Sequence, residues 1–297
     1  MHTLINADCL DYLTGRPQSW NTILADPPDN IGLGYKTYRD KLPGTQYVEL
    51  LESWLHLFIH KAKTVWFSYN AKWTFEVGRI VAEMLKRIKG LEAKPCVQTF
   101  TFGQHCHRDL GNNHRPLLRL RWSDAPLLPD AIRIPSWRQE NGDKRADPRG
   151  RVPGDHFDFP RVTGNSKQRR PWHPTQLNEG LVERCIRFTT PPGESVLDPF
   201  AGTGTTLRVC RRLGYPCTLI EIDKSYCDKI AEEHGLTPSL HCHPMVWEGG
   251  LDVVDPQQGL RQDAGSASWK VLEIATNGKL NVVLGEKGLA ERVVNLL

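Results

Sequence analysis

Two short apolar runs, Leu4-Ile5 and Thr22-Ile23-Leu24-Ala25, are bounded by polar residues and read as buried strands. From Gln46 the apolar residues Tyr47, Leu50, Leu51, Trp54, Leu55 and Phe58 recur at the spacing of a helix stripe. Thr64-Val65-Trp66-Phe67-Ser68-Tyr69 breaks that period and predicts a strand. Val77, Ile80, Val81, Met84, Leu85 and Ile88 then share one helix face, with Gly90 placed to end the helix in the left-handed conformation. Strand, helix, strand, helix is the grammar of a mainly parallel sheet covered by helices.

The alternation stops after a strand predicted at 96–102. Residues 103–171 are rich in Arg, Asn, Gly, Pro and Asp, sustain neither period and contain Trp122, Trp137, Phe157 and Phe159. This segment is too long and too aromatic for a linker, so it is expected to pack on the core as an insert. Alternation resumes with a helix at 177–189, a strand at 194–197, a glycine turn at 201–204, a helix at 205–213, a strand at 217–222 and a helix at 226–234. Beyond it, 241–268 is polar and turn-rich, 269–284 predicts a hairpin around Asn277-Gly278, and 289–297 a short helix. Four segments follow: 1–102, the insert 103–171, 172–240, and an appendage 241–297.

With 39% hydrophobic and 24% charged residues over 297 positions, the chain reads as globular. No apolar run approaches the roughly 18 residues of a membrane helix, and the start Met1-His2-Thr3-Leu4 has no leader pattern, so neither a span nor a secretory signal is expected. The eight cysteines are scattered without a C-x-x-C pair, the pattern of reduced thiols. His-Cys-His occurs at 105–107 and 241–243, but its spacing matches no structural zinc pattern and no metal is expected. Net charge is only +4, yet residues 95–170 hold fourteen Lys or Arg against eight Asp or Glu, a local +6 that leaves −2 for the rest. A basic segment on a near-neutral body suits a polyanionic partner such as nucleic acid, although a solvated charged face gives the same count.

Two constellations carry chemistry. Asp198-Pro199-Phe200-Ala201-Gly202-Thr203-Gly204-Thr205-Thr206 lies between a strand and a helix, where α/β sheets bind ligands. Its glycines permit close backbone approach, and the helix start offers free N–H groups. Position 207 is Leu rather than Gly or Ala, which argues against a dinucleotide fingerprint, and the Gly-Lys-Ser/Thr of a P-loop is missing. Glu221 and Asp223 end the next strand, about twenty residues on, where an acid binds ribose hydroxyls, so the ligand reads as a nucleoside. The second constellation, Ala25-Asp26-Pro27-Pro28-Asp29-Asn30, follows an apolar strand. Its prolines stiffen the exit and leave a carboxylate and free carbonyls as acceptors, which suits a primary amine; a rigid turn without chemistry is the alternative.

Asp26-Pro27-Pro28, Trp172-His173-Pro174-Thr175-Gln176 and Leu197-Asp198-Pro199-Phe200-Ala201-Gly202-Thr203-Gly204-Thr205-Thr206, in that order, resemble the amino-methylating DNA methyltransferases of the β group, over roughly residues 3–235. That group has a permuted order: catalytic region, target-recognition insert, cofactor-binding region. The resemblance implies a Rossmann-like class I methyltransferase fold, α/β with helices on both faces of a mainly parallel sheet and a loop-rich target-recognition insert. Residues 1–102 would be its catalytic half and 172–240 its cofactor half. It also implies S-adenosylmethionine as cofactor, DNA as partner, an exocyclic base amine as acceptor, and a bacterial or phage protein of the cytoplasm, often dimeric and often part of a restriction-modification system. By position, Gly202 and Gly204 would approach the cofactor beside Asp198, Phe200 and Thr205; Glu221 would take its ribose, Asp8 would close the adenine side, and Thr175 would face the methionine end. Leu177-Asn178 stands where the family commonly continues Lys-Pro, removing an expected cation.

Asp26 and the Pro27 carbonyl, with Pro28, would orient the amine of a flipped base for direct in-line transfer. Arg108, Arg115, Arg119, Arg121, Arg145, Arg149, Arg151, Arg169 and Arg170 of the insert would contact phosphates and bases. Asp29 occupies the place of the usual stacking aromatic, so Tyr35, Tyr38 or an aromatic of the insert would stack instead. Asp rather than Ser at position 26 leans toward adenine; cytosine-N4 methylation and an impaired DNA-binding protein of the same fold are the alternatives. A nicotinamide enzyme is disfavoured by Leu207 and the Pro-Pro turn.

Overall fold

The computed structural model describes residues 1–100 and 106–240 and, as backbone, two strands at 269–276 and 279–286. The chain divides into two units, Met1–His243 and Pro244–Leu297.

In the first unit the strands are β1 (His2–Asn6), β2 (Trp20–Ala25), β3 (Ala62–Ser68), β4 (Leu91–Thr99), β5 (His114–Trp122), β6 (His156–Asp158), β7 (Val196–Asp198), β8 (Cys217–Glu221) and β9 (Ser239–Leu240). They form one sheet in the order β6-β4-β5-β3-β2-β7-β8-β1-β9. Pairing is parallel except where β5 runs antiparallel to both β3 and β4. The helices are α1 (Cys9–Leu13), α2 (Gly44–Lys61), α3 (Thr74–Arg87), α4 (Trp137–Glu140), α5 (Glu179–Thr189), α6 (Thr205–Leu213) and α7 (Lys224–His234).

Alternate residues of β2 face opposite cores, which makes the unit three-layered. Ile23 and Ala25 pack with Leu13, Leu51, Trp54, Leu55, Phe58 and Ile80 of α1, α2 and α3. Leu24 packs with Val182, Cys185, Leu207, Cys210, Cys227 and Ile230 of α5, α6 and α7. This is the expected Rossmann-like arrangement.

Two elements depart from the sequence reading. The strand expected at 96–102 starts earlier, at Leu91, because Glu92, Lys94 and Pro95 disguise its first half. The second departure is β5, which lies in the middle of the sheet rather than in an insert, its Leu118 and Leu120 buried against the first core. Arg115, Arg119 and Arg121, which flank and separate its leucines, made it read as polar loop. The second unit pairs β10 (Trp269–Thr276) antiparallel with β11 (Lys279–Glu286), from Trp269↔Glu286 to Thr276↔Lys279. The helix expected at 289–297 and the histidines of 105 and 241–243 lie outside the described residues. Cys9, Cys96, Cys106, Cys185, Cys210, Cys217 and Cys227 are free thiols.

Candidate active site

β2 and β7 are neighbours, paired through Ile23↔Leu197, and their chains leave the sheet in opposite directions, β2 toward β3 and β7 toward β8. A sheet opens a crevice at the carboxyl ends of its strands at such a switch point. Here a cavity of about 910 Å³, open mouth included, is lined by Asp8, Asp26, Pro28, Tyr35, Tyr38, Thr175, Asp198, Phe200, Gly202, Thr205 and Glu221 among others. Four strands contribute to it: the turn after β1 brings Asp8, the turn after β2 brings Asp26, the end of β7 and the turn that follows bring Asp198 to Gly202, and the end of β8 brings Glu221.

On the glycine side, the backbone N–H of Gly202 donates to Glu221 Oε2 at 2.8 Å and that of Asp223 to Oε1 at 2.9 Å. Burial nevertheless dominates, pushing the Glu221 carboxyl up to about 7. Asp198, buried under the turn, accepts from Thr206 Oγ1 at 2.6 Å and from the Phe200 N–H at 3.0 Å, and burial raises it to about 7 as well. Gly202 has φ +51°, and a Cβ there would sit 3.3 Å from the His173 ring. Gly204, at φ +72°, does not line the cavity: it opens α6, and a Cβ would press on Ile230 of α7 at 3.4 Å. Phe200 packs edge-on against Trp54 and Phe58. Asp8 caps α1 through the N–H groups of Leu10 and Asp11 while lining the cavity.

The turn after β2 is held on every side. Tyr47 Oη donates to the Pro28 carbonyl at 2.5 Å, and Trp73 Nε1 to the Asp29 carbonyl at 2.8 Å. The carbonyls expected to stay free are therefore taken at Pro28 and Asp29, because aromatic donors from α2 and from the turn before α3 reach them. Asp40, buried, accepts from the N–H groups of Asn30, Ile31 and Leu33 and ties down the loop that carries Tyr35, Thr37 and Tyr38 to the cavity. Thr37 Oγ1 in turn donates to Asp223 Oδ2 at 2.6 Å. Tyr35 lies edge-on to His173 at 5.6 Å and to Tyr38 at 6.3 Å. The Tyr38 hydroxyl is buried with no partner among the described residues.

Asp29 is not a wall of the cavity. Its carboxylate takes a two-pronged contact from Arg115, Nη1 to Oδ2 at 2.7 Å and Nη2 to Oδ1 at 2.8 Å. Arg115 Nη2 also donates to Asp26 Oδ1 at 2.8 Å and Nε to Ser68 Oγ at 2.6 Å. Burial raises the Asp26 carboxyl, the Arg115 charge opposes that rise, and the Asp29 charge adds to it. Burial disfavours the charged form of Arg115, but Asp26 and Asp29 more than offset it and stabilise the guanidinium.

A family model described as DNA methylase, for N6 and N4 methyltransferases, matches residues 20–233. The chain belongs to the N6/N4 DNA methylase family. M.HpaI, a type II methyltransferase of Haemophilus parainfluenzae, is 30% identical over 223 residues, 72% of this chain and 68% of its own length. YhdJ of Escherichia coli (strain K12), a DNA adenine methyltransferase, is 30% identical over 262 residues, 75% and 79% of the two chains. Two solved structures share the fold: the M1.HpyAVI-SAM complex, TM-score 0.54 at 18% identity over 80% of this chain and 100% of that one, and PvuII DNA methyltransferase (cytosine-N4-specific), 0.56 at 15% over 77% and 86%.

The methylase spends several of its expected DNA-binding arginines internally. Arg115 serves the turn after β2; Arg119 lies over the Phe188 ring; Arg121 pairs with Glu92 and donates to the carbonyls of Trp122, Ser123 and Ala125. Arg169 donates to the carbonyls of Arg170 and His173, and Arg170 pairs with Glu233. The first three belong to a core strand, which is why a count of charge misplaced them. The outward-facing cations include Arg108, Arg138 and Lys144. Among the described residues no helix is long and apolar enough to cross a membrane.

Proposed function

We propose that this DNA methylase transfers a methyl group from S-adenosylmethionine to the exocyclic amine of adenine, with the base flipped out of the duplex. The observation that carries the reading is the pairing of β2 with β7, which sets Asp26 on the wall of the same cavity as the glycine turn and Glu221. The residues fit the cofactor: Gly202 forms a cradle that a side chain would fill, Glu221 has lone pairs left for ribose hydroxyls, and Tyr38, its buried hydroxyl without a partner among the described residues, lines the same cavity as Asp8, which would close the adenine side. Thr175 then faces the methionine end. When bound, the cofactor supplies an electrophilic methyl group and leaves as a neutral thioether.

The chain supplies position and charge. Asp26 and the Pro27 carbonyl accept the amine N–H groups and draw the lone pair out of conjugation with the ring. The carboxylate offsets the positive charge that develops on nitrogen and stands ready to take the proton released as the methylated amine returns to neutrality. Asp29, paired with Arg115, leaves the base free to stack on Tyr35. Adenine is favoured over cytosine by Asp at position 26 and by the likeness to a DNA adenine methyltransferase. The bacterial relatives support an enzyme of the cytoplasm of a bacterium or phage.

The test is incubation with labelled S-adenosylmethionine and mixed-sequence DNA, then nuclease digestion and mass identification of the nucleoside, beside Asp26→Ala. Methyladenine that is lost in the variant is the expected outcome. Methylcytosine would change the substrate, and transfer undiminished in Asp26→Ala would overturn the assignment of the catalytic turn.

A further inference from the structure

The antiparallel run of β5 has a chemical consequence. Leu117 pairs with Ser68, the last residue of β3, so the residues before Leu117 extend past the carboxyl end of the parallel strands and deliver Arg115 to the turn after β2. Three charged side chains from two remote segments meet there: Asp26, Asp29 and Arg115, their side chains 21%, 9% and 20% exposed. The contact is not a surface ion pair. Four N–H contacts of one guanidinium go to three acceptors, two of them carboxylates in the same turn.

We propose that Arg115 is a positioning residue of methyl transfer, oriented by Asp29, and that this Asp29-Arg115 bridge takes the structural place that an aromatic side chain would otherwise fill after the two prolines. The proposal rests on the reading of Asp26 as the acceptor of the base amine. Its grounds are geometric. Asp29 engages both Nη atoms, and a planar guanidinium so forked has little freedom left. The second Nη2 contact then falls on Asp26 Oδ1 and fixes the carboxylate plane, so that the remaining lone pairs of Asp26 meet the amine from one direction. The same bridge sets the charge of Asp26. Without Arg115, Asp26 and Asp29 are two neighbouring, largely buried carboxylates, of which one takes up a proton. Without the Asp29 charge, Arg115 serves Asp26 alone.

The groups that face Asp26 are Arg115 of β5, Asp29 and Tyr35 of the loop after β2, Ser68 of β3 and Asp198 of β7. Asp198, Tyr35 and Ser68 are common to all variants below, so differences between variants report the bridge.

The experiment measures kcat and KM against pH for the wild type, Arg115→Gln, Arg115→Lys and Asp29→Asn, with S-adenosylmethionine-induced thermal shift confirming a folded cofactor site in each. For Arg115→Gln the acid limb of kcat moves to higher pH, and kcat at neutral pH falls about 100-fold while KM for the cofactor stays within about twofold. Arg115→Lys recovers part of kcat. Asp29→Asn moves the acid limb the opposite way, to lower pH. A merely structural bridge would lower activity in the variants without opposite displacements of the limb, and that result overturns the proposal. Should Arg115→Gln fail to fold, Arg115→Lys and Asp29→Asn still decide: an unmoved acid limb in both refutes it. Failure of the underlying reading looks different, since Asp26→Ala would then retain transfer in the wild-type bridge.

Discussion

The two glycines of the turn after β7 look alike in sequence and do different work. Gly202 keeps a side chain out of the cavity, whereas Gly204 starts α6 in the left-handed region against Ile230. Gly204→Ala should destabilise the fold by about 1–2 kcal/mol, seen as a lower denaturant midpoint, with cofactor affinity in the folded fraction little changed. Gly202→Ala should carry a similar strain and in addition weaken cofactor binding at least about tenfold by calorimetry, because its Cβ crowds the His173 ring. Equal effects on binding would show that Gly204 also faces the ligand. Glu221 gives a signed pH dependence. Burial lifts its carboxyl from an ordinary 4.5 to about 7, so ionising it opposes folding, and its contribution to stability declines as pH rises from about 4.5 through about 7. Cofactor binding should run the other way, since only the carboxylate can accept both ribose hydroxyls: affinity rises by up to about tenfold per pH unit toward 7 and then levels. Glu221→Gln should flatten the binding profile and reduce the slope of the stability profile, leaving the part owed to Asp198, which burial also raises to about 7, in thermal melts with and without S-adenosylmethionine. Asp26, Gly202 and Glu221 were legible in the chain because each sits in a short motif beside a strand end. Arg115 was not, because its partners are 86 and 89 residues away and only an antiparallel pairing, invisible to periodicity, brings them together.

Among the elements, β2, β3, α2, α3, α6, β8 and α7 follow from the apolar pattern, because the helices each commit one face to a core and the strands are buried on both. The β4-β5 hairpin hid behind its own chemistry. Pro95 lies in β4 before the stretch, Val97 to Thr99, where β6 pairs with it, so a proline that would break a central strand is tolerated on an open edge. The loop from Asn30 to Leu42 is irregular in sequence yet closed in space. Asn30 has φ +55°, its side chain spans to Leu42, and Asp40 collects three backbone N–H groups. Removing that collector strands one buried and two partly buried donors, so Asp40→Ala should cost about 2 kcal/mol of stability. The same loop presents Tyr35, Thr37 and Tyr38 to the cavity, and Kd for the cofactor should rise with it by at least about tenfold, whereas Asp40→Asn, which retains an acceptor, should lose less. If calorimetry finds Kd unchanged in Asp40→Ala, the loop is not part of the binding wall.

At the scale of the whole molecule, charge was the least legible property, because a sum over residues 95–170 does not say which cations face outward. Of the fourteen counted there, Arg115, Arg121, Arg133, Arg145, Arg149 and Arg170 are in ion pairs, and of the eight others Arg119 and Arg169 are engaged internally, which leaves six. The pairs differ in kind. Arg145 with Asp143 is exposed and can exchange its carboxylate for a phosphate, while Arg121 is 15% exposed, bonds three carbonyls and closes the turn after β5. Binding to DNA releases about 0.9 counterion for each phosphate neutralised, so the slope of log K against log salt counts the cations that reach the backbone. Replacing the exposed Arg108, Arg138 or Lys144 by Gln should weaken binding across all sequences and flatten that slope by up to about 0.9 each. Arg121→Gln should leave the slope unchanged and lower Tm instead. A flattened slope for Arg121→Gln would mean that β5 opens onto the DNA, and a duplex would then lie across the antiparallel end of the sheet, not over the loops at the carboxyl ends of β2 and β7.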